Sequence, residues 1–185
     1  MNPLYRKQFN EQFTFEKYNH LIESISADFD YKPTFRIGET PFFISNELKN
    51  QLLEGCHEVI HFIQKNDFKD LTSKALDLNR KVPNEDNHTT FLAIDFGICE
   101  EEGKIIPKLI EVQGFPSLYN FQSNLAHKFE GLYPFLSELT PYLNGLDNES
   151  YLKLIEEVIC NNYPKENVIL LEIEPEKQNT KIDFY

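Results

Sequence analysis

The spacing of apolar residues predicts helices over much of the chain. Several segments place apolar side chains three or four positions apart, which is the spacing of one helix face. Thr14, Ser45 and Asn148 each stand just before such a segment, and their side chains are of the kind that caps a helix N-terminus. The predicted helices run from residue 15 to between 28 and 33, from 46 to about 65, from 68 to 78, from 118 to 129 and from 149 to 159.

A second pattern predicts strands. Residues 91–98 and 109–113 are rich in β-branched and aromatic residues, and the turn sequence between them contains Gly103, which supplies positive φ. Residues 168–173 have four branched apolar residues before Glu172, as in a buried strand. The predicted fold class is therefore α/β, of the mixed α+β kind. Helices surround a small antiparallel sheet with a central hairpin, followed by the first strand of a second α/β unit.

This order of elements predicts two parts. Residues 1–145 form a helix-rich α+β subdomain that contains the hairpin at 91–113. Residues 146–185 contribute a helix and the first strand of a second unit, and they stop within what reads as the first turns of another helix. A strand without its return helix cannot bury both faces. We therefore expect an N-terminal fragment whose partner is the remainder of a longer chain.

Composition narrows the function classes. The 185 residues are 41% hydrophobic, enough for a folded core, and 18 basic against 30 acidic residues give a net charge of −12. This charge argues against nucleic acid or an anionic membrane as the main partner, because both favour Lys and Arg. The three cysteines, Cys56, Cys99 and Cys160, show neither a disulfide nor a zinc pattern. We expect a soluble cytoplasmic protein that acts on a small-molecule substrate.

The hairpin carries the candidate chemistry. With Gly103 near the centre of the loop, the residue numbers of any two residues that pair across the hairpin add up to about 206. Asp95 then lies opposite Glu111, and Gln113 follows on the same face, opposite Ala93. Two carboxylates directly across a strand pair repel one another, so such a pair usually has a cation or a basic partner. The other face is predicted to be core and consists of Ile94, Phe96, Ile98, Ile110 and Val112.

Two interpretations of these acids are open. Two carboxylates and an amide oxygen are hard ligands, and they suit Mg²⁺ better than zinc or copper. This hypothesis makes Asp95, Glu111 and Gln113 a metal site. The alternative is a solvated sheet face on which each acid pairs with a base from elsewhere, such as Arg36 or Lys108.

The hairpin sequence resembles the metal-holding strands of ATP-grasp enzymes. Residues 94–98 read Ile-Asp-Phe-Gly-Ile, and residues 109–117 read Leu-Ile-Glu-Val-Gln-Gly-Phe-Pro-Ser. The family pattern is an Asp-Phe strand followed by Leu-Glu-Val-Asn and a Pro-Ser or Pro-Gly turn. The resemblance implies that Asp95, Glu111 and Gln113 bind the magnesium ions that bridge the phosphates of ATP. Gln113 stands where the family has Asn; it keeps the amide oxygen and is one methylene longer.

The end of the chain adds a second resemblance. Residues 167–173, followed by Pro175, Gln178, Thr180 and Asp183, look like the opening strand and helix of a pre-ATP-grasp domain. Their position after the metal strands resembles circularly permuted ATP-grasp proteins related to glutathionylspermidine synthase. This implies a ligase in which ATP activates a carboxylate as an acyl phosphate for attack by an amine. The sequence has no Gly-rich phosphate loop, so we expect it to be inactive alone. A degenerate scaffold that binds a ligand or partner without chemistry is an alternative.

A rival motif lies within the second long helix. Residues 57–61 match H-E-x-x-H, in which two imidazoles one turn apart bind zinc and the Glu acts as general base. The motif predicts, as an alternative, a zinc-dependent hydrolase that uses His57, Glu58 and His61. Glu85 is the convenient downstream carboxylate for a third ligand. At about 100° per residue, however, His61 projects almost opposite the apolar stripe, which is also typical of a solvated polar face.

Overall fold

The computed structural model describes residues 2–75, 83–84 and 89–185. Within these residues, six α-helices and an antiparallel hairpin confirm the predicted mixed α/β class. In this part of the chain, no helix combines the length and the apolar character needed to cross a membrane. The elements are α1 (Pro3–Gln12), α2 (Phe15–Asp28), α3 (Asn46–Ile63), α4 (Phe68–Thr72), β1 (Ala93–Glu101), β2 (Lys104–Gln113), α5 (Tyr119–Leu132) and α6 (Asn148–Cys160).

The chain folds as two compact units. The first comprises Met1–Phe43 and Ser117–Tyr185, and the second comprises Ile44–Pro116. Helix α6 belongs to the first of these units. The assignment of residues 146–185 to a pre-ATP-grasp-like unit stays a prediction.

Side-chain caps begin the helices of the first unit. The hydroxyl of Thr14 accepts a hydrogen bond from the backbone N–H of Lys17 at 3.2 Å, which confirms the predicted start of α2. Asp147 caps α6 in a reciprocal pair with Ser150. The helix therefore includes Asn148 and begins one residue earlier than predicted.

The core of the first unit is largely aromatic. Phe9 of α1 is fully buried, and its ring centroid lies 4.5 Å from that of Tyr133 and 6.3 Å from that of Phe129. Rings at these separations attract one another in addition to burying apolar area, so they tie α1 to the C-terminal end of α5. The buried cluster consists of Phe9, Leu21, Ile25, Ile37, Phe43, Phe121, Phe129, Tyr133, Leu136 and Ile182.

An ion pair joins the end of α2 to α5. The carboxylate of Asp28 lies 2.7 Å from Nζ of Lys128, and the amide of Asn124 donates to the same oxygen at 3.2 Å. The hydrogen bond from Lys128, followed by that from Asn124, lowers the pKa of Asp28 below its ordinary value. The carboxylate is partly solvated, so its contribution to stability is modest.

The second unit has few buried residues. Ser45 accepts a hydrogen bond from the N–H of Leu48 at 3.1 Å, which confirms the predicted cap of α3. Phe96 of β1 packs directly on Gly55 of α3, where an added Cβ would lie 3.0 Å from the Phe96 ring. The face of the hairpin that carries Phe96 is therefore the one that α3 covers. Leu48 is the one buried apolar side chain among the described residues of this unit.

Residues 168–173 form no strand, contrary to the prediction. No described strand pairs with this segment. Ile169, Leu171 and Ile173 expose 82%, 85% and 82% of their surface. A buried strand needs a neighbour that bonds its backbone and layers that cover its faces. The part of the chain that the structure describes supplies neither, so the apolar sequence alone does not make a strand here.

Two other predictions lie partly outside the described residues. The helix predicted over 68–78 begins with α4 and continues as a 3₁₀ turn to Ala75, beyond which residues 76–78 are not described. The polar loop predicted at 81–88, including Glu85, is described at residues 83–84 alone.

Candidate metal centre on the hairpin

A two-residue turn sets the register of the hairpin. Glu101 pairs with Lys104, and the residues between them, Glu102 and Gly103, have φ angles of 52° and 77°. Two successive positive φ angles are the mark of a type I′ turn, whose twist matches that of the two strands. Glycine adopts this conformation without steric cost, so Gly103 favours the turn as predicted.

Asp95 and Glu111 are partners in this register, as predicted; we refer to them as the acid pair. Gln113 pairs with Ala93 two positions further, so its amide lies on the same face. Both carboxylates are exposed. Because successive strand residues point to opposite faces, the acid pair is directed away from the face that carries Phe96 and meets α3.

A β-bulge directly follows the acid pair. Asp95 pairs with Glu111, but the next residue, Phe96, pairs with Leu109, so Ile110 has no partner of its own. The residue numbers of paired residues therefore add up to 206 at the open end of the hairpin and to 205 between the bulge and the turn. A bulge bends its strand and redirects the neighbouring side chains.

The bulge changes which residues share a face. A Cβ added at Gly97 would lie 3.5 Å from Ile110, which places Ile110 on the side of the acid pair. Ile110 is 68% exposed, and Ile98 and Val112 are each 37% exposed. The prediction that these three residues form part of a core face is wrong, because the register shifts by one residue and α3 covers only part of the hairpin.

The acid pair has no basic partner among the described residues. No Lys, Arg or His nitrogen there lies within ion-pair distance of either carboxylate. The two bases considered as partners bind other acids, Arg36 binding Glu39 and Lys108 binding Glu101. In each ion pair the hydrogen bond to the glutamate raises the pKa of the base. Arg36 and Lys108 therefore do not neutralise the acid pair.

Gln113 positions one of the two carboxylates. Its amide nitrogen donates to Oε1 of Glu111 at 2.6 Å, and its amide oxygen makes no hydrogen bond to a described residue. The donor set is thus two carboxylates and one amide oxygen on a single face. Mg²⁺ binds through one or two carboxylates and keeps several waters, which an exposed site allows. Oxygen donors of these kinds are the ones that magnesium binds, and the assignment of Asp95, Glu111 and Gln113 as its ligands stays a prediction.

Hydrogen bonds that the sequence did not predict connect the two sides of the hairpin at its open end. The hydroxyl of Thr89 donates to the carbonyl oxygen of Phe91 at 2.8 Å and also to that of Gly114. The rings of Phe91 and Phe115 pack edge to face nearby, with centroids 6.5 Å apart. These contacts hold the segment before β1 next to the end of β2, beside the acid pair. A lone threonine after a polar segment carries no sequence signal for this role.

The alternative zinc motif lies on an exposed face of α3. Between residues 2–75, 83–84 and 89–185, no three His, Cys, Asp or Glu side chains are placed to hold a metal. Glu85, the third ligand considered, lies outside the described residues. A catalytic zinc takes three protein ligands, so the hydrolase stays a prediction. The motif residues line an open depression of about 510 Å³, formed by Asn50, Leu53, Glu54, His57, Glu58 and His61.

Comparison with known proteins returns no match: no family model fits the chain, and no curated protein and no solved structure is significantly similar to it. The comparisons therefore neither add to nor take away from what the hairpin geometry indicates.

Proposed function

We propose that this chain is part of an ATP-grasp-like, Mg²⁺-dependent ligase that couples a carboxylate to an amine. In this proposal Asp95, Glu111 and Gln113 are the magnesium ligands. The observation that carries the proposal is the acid pair, two carboxylates in register on one face without a basic partner among the described residues. The resemblance of residues 94–98 and 109–117 to the metal strands of ATP-grasp enzymes supplies the reaction class.

The negative charges of the acid pair favour a bound cation. Like charges directly opposite one another on a strand pair destabilise it. A divalent cation held between the carboxylates removes this repulsion and replaces it with attraction. The carboxylates and the amide oxygen of Gln113 are the oxygen donors that Mg²⁺ prefers. Binding of magnesium would therefore replace the destabilising repulsion between the two carboxylates with a stabilising attraction to the ion.

Each residue of the site has a separate role in this proposal. Asp95, Glu111 and the amide oxygen of Gln113 hold the metal, and the amide nitrogen of Gln113 also keeps the Glu111 carboxylate on the metal side. Bound magnesium supplies charge neutralisation for the phosphates of ATP. The groups that contact the phosphates themselves belong to another lobe, because this sequence has no Gly-rich phosphate loop. We accordingly propose that the chain alone does not catalyse the reaction.

The setting proposed for the protein is the cytoplasm, with a small molecule as substrate. Cys56, Cys99 and Cys160 are all free, as expected in a reducing compartment. The net charge of −12 disfavours nucleic acid as a partner.

The test is calorimetric titration with Mg²⁺ and with Mn²⁺. Wild-type protein should bind either ion, and Asp95→Asn or Glu111→Gln should abolish the binding. Glu100→Gln is the matched control, because Glu100 is an exposed acid of β1 that faces Ile105 and lies on the opposite side of the sheet. Equal binding by all four proteins would contradict the assignment of the ligands. No binding of either ion to the wild type would instead favour the degenerate scaffold.

A further inference from the structure

His57 and His61 stand one turn apart on the exposed side of α3. Both imidazoles lie within the 18-residue helix, four positions apart, and side chains at this spacing are neighbours. Gly55, which meets the Phe96 ring, precedes His57 by two positions and therefore lies about 200° around the helix. The histidines thus occupy the face of α3 that is directed away from the hairpin.

The surroundings of the two histidines are open. Both line the depression of about 510 Å³, together with Glu54 and Glu58. In the described part of the chain, none of these four side chains makes a hydrogen bond or an ion pair with another residue. The imidazole nitrogens are therefore available to a ligand from solvent.

We infer that His57 and His61 form a two-histidine chelate for a divalent transition-metal ion such as Zn²⁺. Imidazole is a good ligand for Zn²⁺, Ni²⁺ and Cu²⁺, whereas Mg²⁺ prefers oxygen, so this site and the acid pair select different ions. Two protein ligands leave the remaining coordination positions to water. This site differs from the zinc hydrolase, because it needs neither a third protein ligand nor Glu58 as a base.

A metal on this chelate would stabilise α3. Both ligands belong to one helix and reach the same ion only while the helix is folded, so the ion binds the folded state preferentially. Cys56, the one thiol on α3, lies about 100° from His57 towards the apolar side, so it does not share the face of the two histidines.

The experiment titrates Zn²⁺ into the full chain and follows heat of binding and the midpoint of thermal unfolding. Wild type should bind one Zn²⁺ at this site and unfold at a higher temperature when the ion is present. His57→Ala and His61→Ala should each weaken binding at least about tenfold, since loss of even an outer-shell partner costs that much. His20→Ala, which removes an exposed histidine from α2, should bind Zn²⁺ like the wild type.

Two double variants separate chelation from the mere presence of histidine. In His61→Ala/Gln64→His the two imidazoles are seven positions apart, so binding should stay weak. In Leu53→His/His61→Ala the spacing of four is restored one turn earlier, and binding should recover. Unchanged affinity in both single variants, or wild-type affinity in the Gln64→His double variant, would overturn the inference. Magnesium binding by the hairpin is measured with different variants, so the two proposals fail independently.

Discussion

Asp95 of β1 and Glu111 of β2 face one another across the hairpin with no basic side chain among the described residues to separate their charges. The arrangement depends on a turn at Glu102 and Gly103 that sets the register, and on a bulge at Ile110 that begins beside the acids. Gln113 binds the Glu111 carboxylate from the same strand. The hairpin therefore presents a small cluster of oxygen donors to solvent.

Neutralising either acid should stabilise the metal-free protein. In buffer with EDTA, Asp95→Asn or Glu111→Gln removes the cross-strand repulsion. Because both groups are exposed, we expect a gain of at most about 0.2–1 kcal/mol, the size of the interaction between exposed charges. Urea unfolding measures the free energy change. Glu100→Gln should leave it unchanged, and a loss of stability in both acid variants would show that each acid has an attractive partner.

Shortening an apolar side chain in residues 168–173 to alanine should hardly change stability, whereas the same change in the aromatic core should lower it strongly. Leu171 is 85% exposed, so Leu171→Ala should change the free energy of unfolding by less than about 0.5 kcal/mol. Phe9 is fully buried between Tyr133 and Phe129, so Phe9→Ala should cost about 3–5 kcal/mol. Chemical denaturation compares the two variants. A loss of several kcal/mol in Leu171→Ala would mean that the segment is buried, as its sequence pattern indicated.

Replacing a helical glycine with alanine usually stabilises a protein, and the contact between Gly55 and Phe96 should reduce or reverse this gain at position 55. Gly131→Ala in α5 meets no atom within 4 Å and should stabilise the protein by about 0.4–1 kcal/mol. Gly55→Ala should gain less or lose stability, because its Cβ would lie 3.0 Å from the Phe96 ring.

A double-mutant cycle isolates this contact. In a Phe96→Ala background, Gly55→Ala should recover the gain seen for Gly131→Ala, since the ring that opposes the Cβ is gone. Equal effects of Gly55→Ala in both backgrounds would mean that α3 and β1 do not pack at this point.

The ion pair of Asp28 with Lys128 should make stability depend on pH in the acid range. The hydrogen bond from Lys128 lowers the pKa of Asp28 below 3.8, so the folded state holds the proton more weakly than the unfolded state. The resulting stabilisation is present above pH 3.8 and is lost as the pH falls through the lowered pKa. The stability difference between wild type and Asp28→Asn should therefore shrink as the pH falls from 6 towards 3, measured by urea unfolding at each pH.

Asp30→Asn is the control for this pH series. Asp30 follows α2 closely and has no charged partner among the described residues, so this substitution removes a nearby acid without breaking an ion pair. A wild-type advantage over Asp28→Asn that stays constant across the range would contradict the role of the ion pair.

Local signals in the sequence were sufficient for the helix starts and for the hairpin. Thr14 and Ser45 cap α2 and α3 as predicted, because a cap depends on residues within one turn. The predicted pairing of Asp95 with Glu111 is confirmed, but the turn alone would place Asp95 opposite Ile110, and the bulge at Ile110 supplies the shift of one residue that brings Glu111 opposite Asp95. Helix α1 was not predicted, although Asn2 before Pro3 is a recognised start signal; the mixed polar and aromatic pattern of the first residues obscured it.

Features that depend on distant partners could not be predicted. Residues 168–173 have the composition of a buried strand, but a strand forms only where another strand offers its backbone. The bulge at Ile110 shifts the register by one residue, and neither the turn sequence nor the apolar pattern indicates it. The hydrogen bond from Thr89 to the carbonyl oxygen of Gly114 joins positions 25 residues apart, and no local sequence pattern indicates a contact over that separation.

The most direct test of the magnesium site is the sign of the stability change in Asp95→Asn and Glu111→Gln with and without the ion. In EDTA each substitution should stabilise the protein slightly. In saturating Mg²⁺ each should be less stable than the wild type, because an ion at about 100 times its dissociation constant adds about 2.7 kcal/mol to the protein that binds it. If the two variants keep the same stability relative to wild type in both buffers, the acid pair does not hold magnesium.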